Sequence, residues 1–102
     1  MHTLVDFDGT LAIYGGWFIL GEPIEEMVDR VRAWVNEGRD VRIFTARVAP
    51  GRDAEAQREM IEAWCEDNIG RRLPVTNAKD GQTEAIYDDK AFRVEKDTGR
   101  IL

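Results

Sequence analysis

One cysteine, Cys65, is all the chain has. No intrachain disulfide is available, and nothing points to an oxidising compartment. Basic residues are the minority: 14 Lys and Arg against 20 Asp and Glu give a net charge of −6. The electrostatic footprint of a nucleic-acid binder is therefore missing, and long nucleic acids are poor candidates as partners. A long apolar run is missing too, because Asp6 and Asp8 interrupt any such stretch near the N-terminus. There is neither a signal peptide nor a membrane span to read, so no membrane partner is expected and the cytoplasm is the expected location. Repeats, low-complexity tracts and linkers are absent. The 102 residues suit a single domain, 1–102, and a hydrophobic fraction of 43% is enough for one core.

What is present alternates. TLVDF (3–7) is short, apolar and β-branched, as a buried strand requires. Gly15-Gly16 lies between Ile13-Tyr14 and Trp17-Phe18, which predicts a small hairpin turning at the two glycines. EPIEEMVDRVRAWVNEG predicts a helix: Pro23 suits its first turn, apolar residues from Ile24 to Val35 recur at three- and four-residue spacing, and Gly38 stops it. DVRIFTAR predicts a second strand with Val41, Ile43 and Thr45 on one side. GRDAEAQREMIEAWCEDNIG predicts a second helix with Met60, Ile61, Trp64 and Cys65 as its apolar stripe, ending at Gly70. LPVTN and EAIYDDKAFRVEK supply a third strand, a fourth ending at Asp88 and a fifth beyond it. The order is that of an α/β fold with a mainly parallel sheet.

Sites in open parallel sheets form beyond the C-terminal ends of the strands. Asp6, Asp8, Thr45, Lys79, Asp88 and Asp89 all fall at or just after predicted strand ends, so residues scattered in sequence are expected to converge. Ionised carboxylates are costly to desolvate and repel each other, and a divalent cation is the obvious compensation for Asp6 and Asp8.

DFDGT, IFTAR, TNAKD and IYDDK resemble, in order, the four motifs of the haloacid-dehalogenase-like phosphohydrolase superfamily. Asp6, Asp8 and Thr10 match the first, Thr45 the second, Lys79 the third, and Asp88 with Asp89 the fourth. The resemblance implies a Rossmann-like three-layer sandwich with sheet order 3-2-1-4-5, Mg²⁺ and a covalent aspartyl-phosphate. Two departures stand out. The chain has no room for the cap domain that members often carry, and the hairpin fits a short flap instead. The stretch between Lys79 and Asp88 is also too short for the helix often found there. The compact arrangement around IYDDK is similar to nucleotidase and polynucleotide-phosphatase branches.

Phosphate ester hydrolysis needs a nucleophile, a proton for the leaving oxygen and neutralisation of phosphoryl charge. Asp6 is the candidate nucleophile and Asp8 the candidate general acid and base. Gly9 lets the chain turn so that backbone N–H groups face a phosphate; Thr10 and Arg47 join it as substrate-binding candidates. Thr45 is a donor to a phosphoryl oxygen, and Lys79 offsets the charge of phosphate and Asp6. Asp6 and Asp88, with Asp89 and the backbone carbonyl of Asp8, are the expected Mg²⁺ ligands.

Ordinary readings stand beside these: Asp6 and Asp8 as capping residues, Thr45 as a strand residue, Lys79 as a solvated lysine, Asp88-Asp89 as a turn, and Arg47 as a surface ion-pair partner. Cys65, Trp34 and Trp64 are expected in the core, and His2 at a strand end. Tyr14, Trp17 and Phe18 are open to three uses: contact with substrate, contact with a second copy in a homodimer, or packing. At the level of function, a phosphatase acting on a phosphorylated substrate leads. A nucleotide- or polynucleotide-end phosphatase, and a binding module of the same fold without turnover, are the alternatives.

Overall fold

The computed structural model describes residues 1–102. Four strands, β1 (His2–Asp6), β2 (Val41–Phe44), β3 (Val75–Thr76) and β4 (Thr83–Tyr87), form one all-parallel sheet in the order β3-β2-β1-β4. Two helices, α1 (Glu25–Asn36) and α2 (Ala54–Ile69), make the crossovers β1-α1-β2 and β2-α2-β3. No helix is long and apolar enough to cross a membrane.

Local chemistry explains most boundaries. Met27, Val28, Val31 and Val35 give α1 its buried stripe, and Glu25 and Glu26 complement the dipole at its start. Pro23 sits outside this helix; it bridges to Ala12 instead. Gly70, at φ 102°, ends α2 in the left-handed conformation. The stripe of α2 departs from expectation at two places: Met60 is exposed and Gln57 is buried.

The expected three layers are two. The helices pack against each other, with Arg32 of α1 donating to the carbonyl of Asn68 at 2.7 Å. Both share one apolar cluster with Val5, Val41 and Ile43, so both cover the same face of the sheet. Phe7 meets Trp64 edge-on at 4.9 Å within it, and Cys65 is fully buried. The opposite face has no helix, because the chain passes from β3 to β4 in residues 77–82 alone.

The expected fifth strand does not join the sheet. Beyond Tyr87 the chain pairs with itself, Val94 opposite Ile101. His2, at the start of β1, is buried and bonded to the Thr83 hydroxyl at 2.9 Å, which ties β1 to the start of β4.

Candidate functional site

The ends of all four strands, with Asn77 standing just after β3, and one loop meet at a cavity of about 560 Å³, at the C-terminal edge of the sheet. Asp6 is the last residue of β1 and Asp8 follows Phe7, whose burial pins the turn between them. Asp88 and Asp89 follow β4, and Thr45 follows β2. All five line the cavity, as the positions of the strand ends require.

The turn after Phe7 is tight. The Phe7 carbonyl accepts from the N–H groups of Thr10, Leu11 and Ala12, and the Gly9 N–H donates to the Ala12 carbonyl at 2.7 Å. These donors are therefore used within the turn rather than held out to a phosphate, as expected for Gly9. Its role is steric. Gly9 has φ 84°, and a Cβ there would stand 2.7 Å from an oxygen of Asp89. The conformation favours glycine, and a Cβ there would also push the Asp89 carboxylate aside.

The acidic residues divide into two groups. Oxygens of Asp6, Asp88 and Asp89 all lie within 4.8 Å of one another. Ligands on opposite sides of a Mg²⁺ ion are roughly 4.2 Å apart, so this all-oxygen set could hold such an ion after a small contraction. The Thr10 hydroxyl lies 3.3 Å from an Asp6 oxygen and 3.1 Å from an Asp89 oxygen. It orients the carboxylates instead of reaching for substrate. Burial pushes Asp6 up to about 7, helped by a hydrogen bond with Asp89 and by the charges of Asp88 and Asp89; the bond from Thr10 opposes the shift. The hydrogen bond with Asp6 draws Asp89 below the ordinary carboxylate range. Without a cation the cluster therefore keeps a proton on Asp6.

Asp8 belongs to the other group. Its side chain is absent from the cluster because both of its oxygens accept from Arg47, at 2.7 and 2.9 Å. Arg47 is no surface residue: its side chain has no exposure at all. The remaining guanidinium contacts go to the carbonyls of Gly16 at 2.8 Å, Ile19 at 3.1 Å and Trp17, and to the Gln57 side chain at 3.1 Å. A guanidinium carries five donors, and all are engaged, so none is left for a substrate phosphate. Thr45 caps the short 3-10 turn Ala46–Val48, accepting from the Arg47 N–H at 3.1 Å. Its hydroxyl proton remains free to donate into the cavity.

The predicted hairpin is instead an irregular loop, residues 13–22. Its base is closed by the Ile13 N–H on the Glu22 carbonyl at 2.9 Å, and its turn falls at Trp17-Phe18 rather than at the two glycines. Arg47 and Gln57 replace a strand ladder by holding its carbonyls from within; the Gln57 amide donates to Trp17 at 2.9 Å. The Trp64 indole adds a bond to Gly21 at 3.0 Å. A Cβ on Gly21 would fall 1.6 Å from the Ile13 carbonyl oxygen, so the loop closes only over glycine. Tyr14 and Trp17 line the cavity, whereas Phe18 is 76% exposed and does not.

Lys79 does not reach this cavity. It lies on the short return to β4, beside Asp80, whose carboxylate is 3.7 Å from His2 at the opposite end of β1. With no helix between β3 and β4, the chain drops away from the strand ends at once. The lysine that does line the cavity is Lys90, whose N–H donates to Asp88 at 2.8 Å. Sequence reasoning passed over Lys90 and Gln57. The signal for Lys90 was its place directly after the acidic pair; Gln57 carried none, since a polar residue on a helix is ordinarily solvated. Comparison with protein-family models, with curated proteins and with solved structures returned no match.

Proposed function

We propose that this chain is a Mg²⁺-dependent phosphohydrolase that cleaves phosphate monoesters through an aspartyl-phosphate on Asp6, in a capless domain of haloacid-dehalogenase-like type. The observation that carries the reading is the placement of Asp6 within 4.8 Å of Asp88 and Asp89, with Asp8 two residues on in the same cavity. The strand order β3-β2-β1-β4, with the Asp6 strand inside the sheet, supports it.

Asp6 attacks phosphorus, the bond to the leaving oxygen breaks, and Asp8 supplies the proton that oxygen needs, for which one of its oxygens must let go of Arg47 and carry that proton. Water then attacks the acyl-phosphate, Asp8 accepts its proton, and phosphate leaves with Asp6 restored. Thr45 donates to a phosphoryl oxygen, and Lys90 takes the charge-offsetting part first assigned to Lys79. Mg²⁺, held by Asp6, Asp88 and Asp89, would neutralise charge on the transferring group.

The test is Mg²⁺-dependent phosphate release from an aryl phosphate. Asp6→Asn is expected to lower turnover by about 10³-fold or more, as loss of a nucleophile does. Wild-type turnover in that variant would sink the covalent mechanism. Tyr14 and Trp17 in the cavity wall favour a narrower second reading, a nucleotide phosphatase, because every base has a face to stack on an aromatic ring. Equal kcat/KM for nucleoside and sugar monophosphates would count against it.

A further inference from the structure

Arg47 is the largest side chain buried in full. It sits where two parts of the candidate site meet and touches neither the cluster of three carboxylates nor open solvent. One nitrogen, Nη2, bonds at once to Asp8 at 2.9 Å, to the Gly16 carbonyl at 2.8 Å and to the Ile19 carbonyl at 3.1 Å. Its plane lies beneath the Trp17 and Tyr14 rings, at 5.3 and 5.9 Å. Gln57 braces the arrangement from α2, bonding to Arg47 and to the same Trp17 carbonyl that Arg47 holds. A buried guanidinium with every donor engaged has one arrangement that satisfies it, and leaving any partner unpaired is costly.

We propose that Arg47 is a positioning residue that makes the aromatic wall and Asp8 one mechanical unit: the 13–22 loop cannot shift without moving Asp8, and Asp8 cannot shift without releasing the loop. The coupling is a property of the fold. Its meaning for catalysis, that the wall that faces a substrate also fixes the place of the second aspartate, rests on the phosphohydrolase reading.

The test separates the two. The protein is labelled with fluorotryptophan, and the Trp17 resonance is assigned with Trp17→Phe. Asp8→Asn takes the carboxylate from a buried Arg47, so its folding is checked first by circular dichroism; the folded variant is expected to displace that resonance by more than its linewidth, although Arg47 stands between the two residues. Gln57→Leu is expected to displace it as well. Asp88→Asn, which lines the same cavity but has no bond to Arg47, is expected to leave it in place. An unmoved Trp17 resonance in Asp8→Asn overturns the coupling, and so does an equal displacement in Asp88→Asn. A second readout uses steady-state kinetics. Gln57 touches neither Asp8 nor the cavity, so if the unit is real Gln57→Leu lowers kcat by about tenfold, the scale of a small misplacement, besides raising KM. A change in KM alone means that Gln57 supports only the wall. Wild-type protein without any turnover would sink the phosphohydrolase reading while the fluorine spectra still decide the coupling.

Discussion

Two groups of acids share one cavity and have opposite circumstances. Asp8 is met on both oxygens by a buried cation that the chain itself supplies. Asp6, Asp88 and Asp89 face one another with no guanidinium among them, and Asp6 answers by holding a proton up to about pH 7. The first group is satisfied and stabilises the fold around it. The second is left in want of positive charge, which makes it the candidate site. A carboxylate cluster alone is common on protein surfaces. A cluster beside a carboxylate that has been given its own partner is an arrangement in which the chain has neutralised one acid and left three.

The sharpest way to break this contrast is to remove the internal cation. Arg47→Met would strand Asp8 and three loop carbonyls, and is expected to cost about 3–5 kcal/mol in urea unfolding. Asp88→Asn, which removes charge from the unsatisfied group, is expected to be neutral or stabilising without metal. Similar losses in both variants would erase the distinction.

Gly9→Ala attacks the seam between the groups. It forces a side chain at φ 84° and a Cβ at 2.7 Å from Asp89. The expected loss is about 1–3 kcal/mol, together with weaker Mg²⁺ binding by titration calorimetry as Asp89 is pushed aside. Unchanged Mg²⁺ affinity would mean that Asp89 is not a ligand.

A smaller effect appears with pH. Between the ordinary aspartate value of 3.8 and about 7, the folded chain keeps a proton on Asp6 that the unfolded chain has lost. Stability of metal-free protein should therefore fall as pH rises through that window, by on the order of 1 kcal/mol once solvent screening at a half-buried group is allowed for. Asp89 and Asp40, both drawn below the ordinary value, act with the opposite sign and only at lower pH. Asp6→Asn or saturating Mg²⁺ should flatten the slope in chemical melts taken across this range. A slope that persists in Asp6→Asn would place its origin elsewhere.

The smallest effect concerns the wall. Trp17 and Phe18 are 40% and 76% exposed, so Trp17→Ala with Phe18→Ala should cost only about 0.5 kcal/mol per ring, as surface changes do. A loss of about 3–5 kcal/mol per ring would show the loop to be core. Gel filtration of the same variant tests the homodimer expected as one use of these rings; an unchanged elution volume would remove it.

Much of this molecule was legible along the chain because the controlling physics is local. Apolar spacing of three and four specifies the buried face of α1 whatever lies opposite. Gly70 ends α2 through its own φ. Asp6, Asp8, Thr45, Asp88 and Asp89 could be sent to one place from sequence because parallel strands bring their C-terminal ends together. What tertiary structure alone decided was which charges meet. The missing helix between β3 and β4 carried Lys79 to the far end of β1 and left Lys90 at the cavity. The same short connection left one face of the sheet without a helix, so two layers formed where three were expected. Asp8 parted from Asp6 because Arg47, 39 residues away, folds inward and takes both of its oxygens. Ion pairing depends on where long side chains end in space, and a guanidinium at the end of a flexible stem is the group whose destination neighbouring residues specify least.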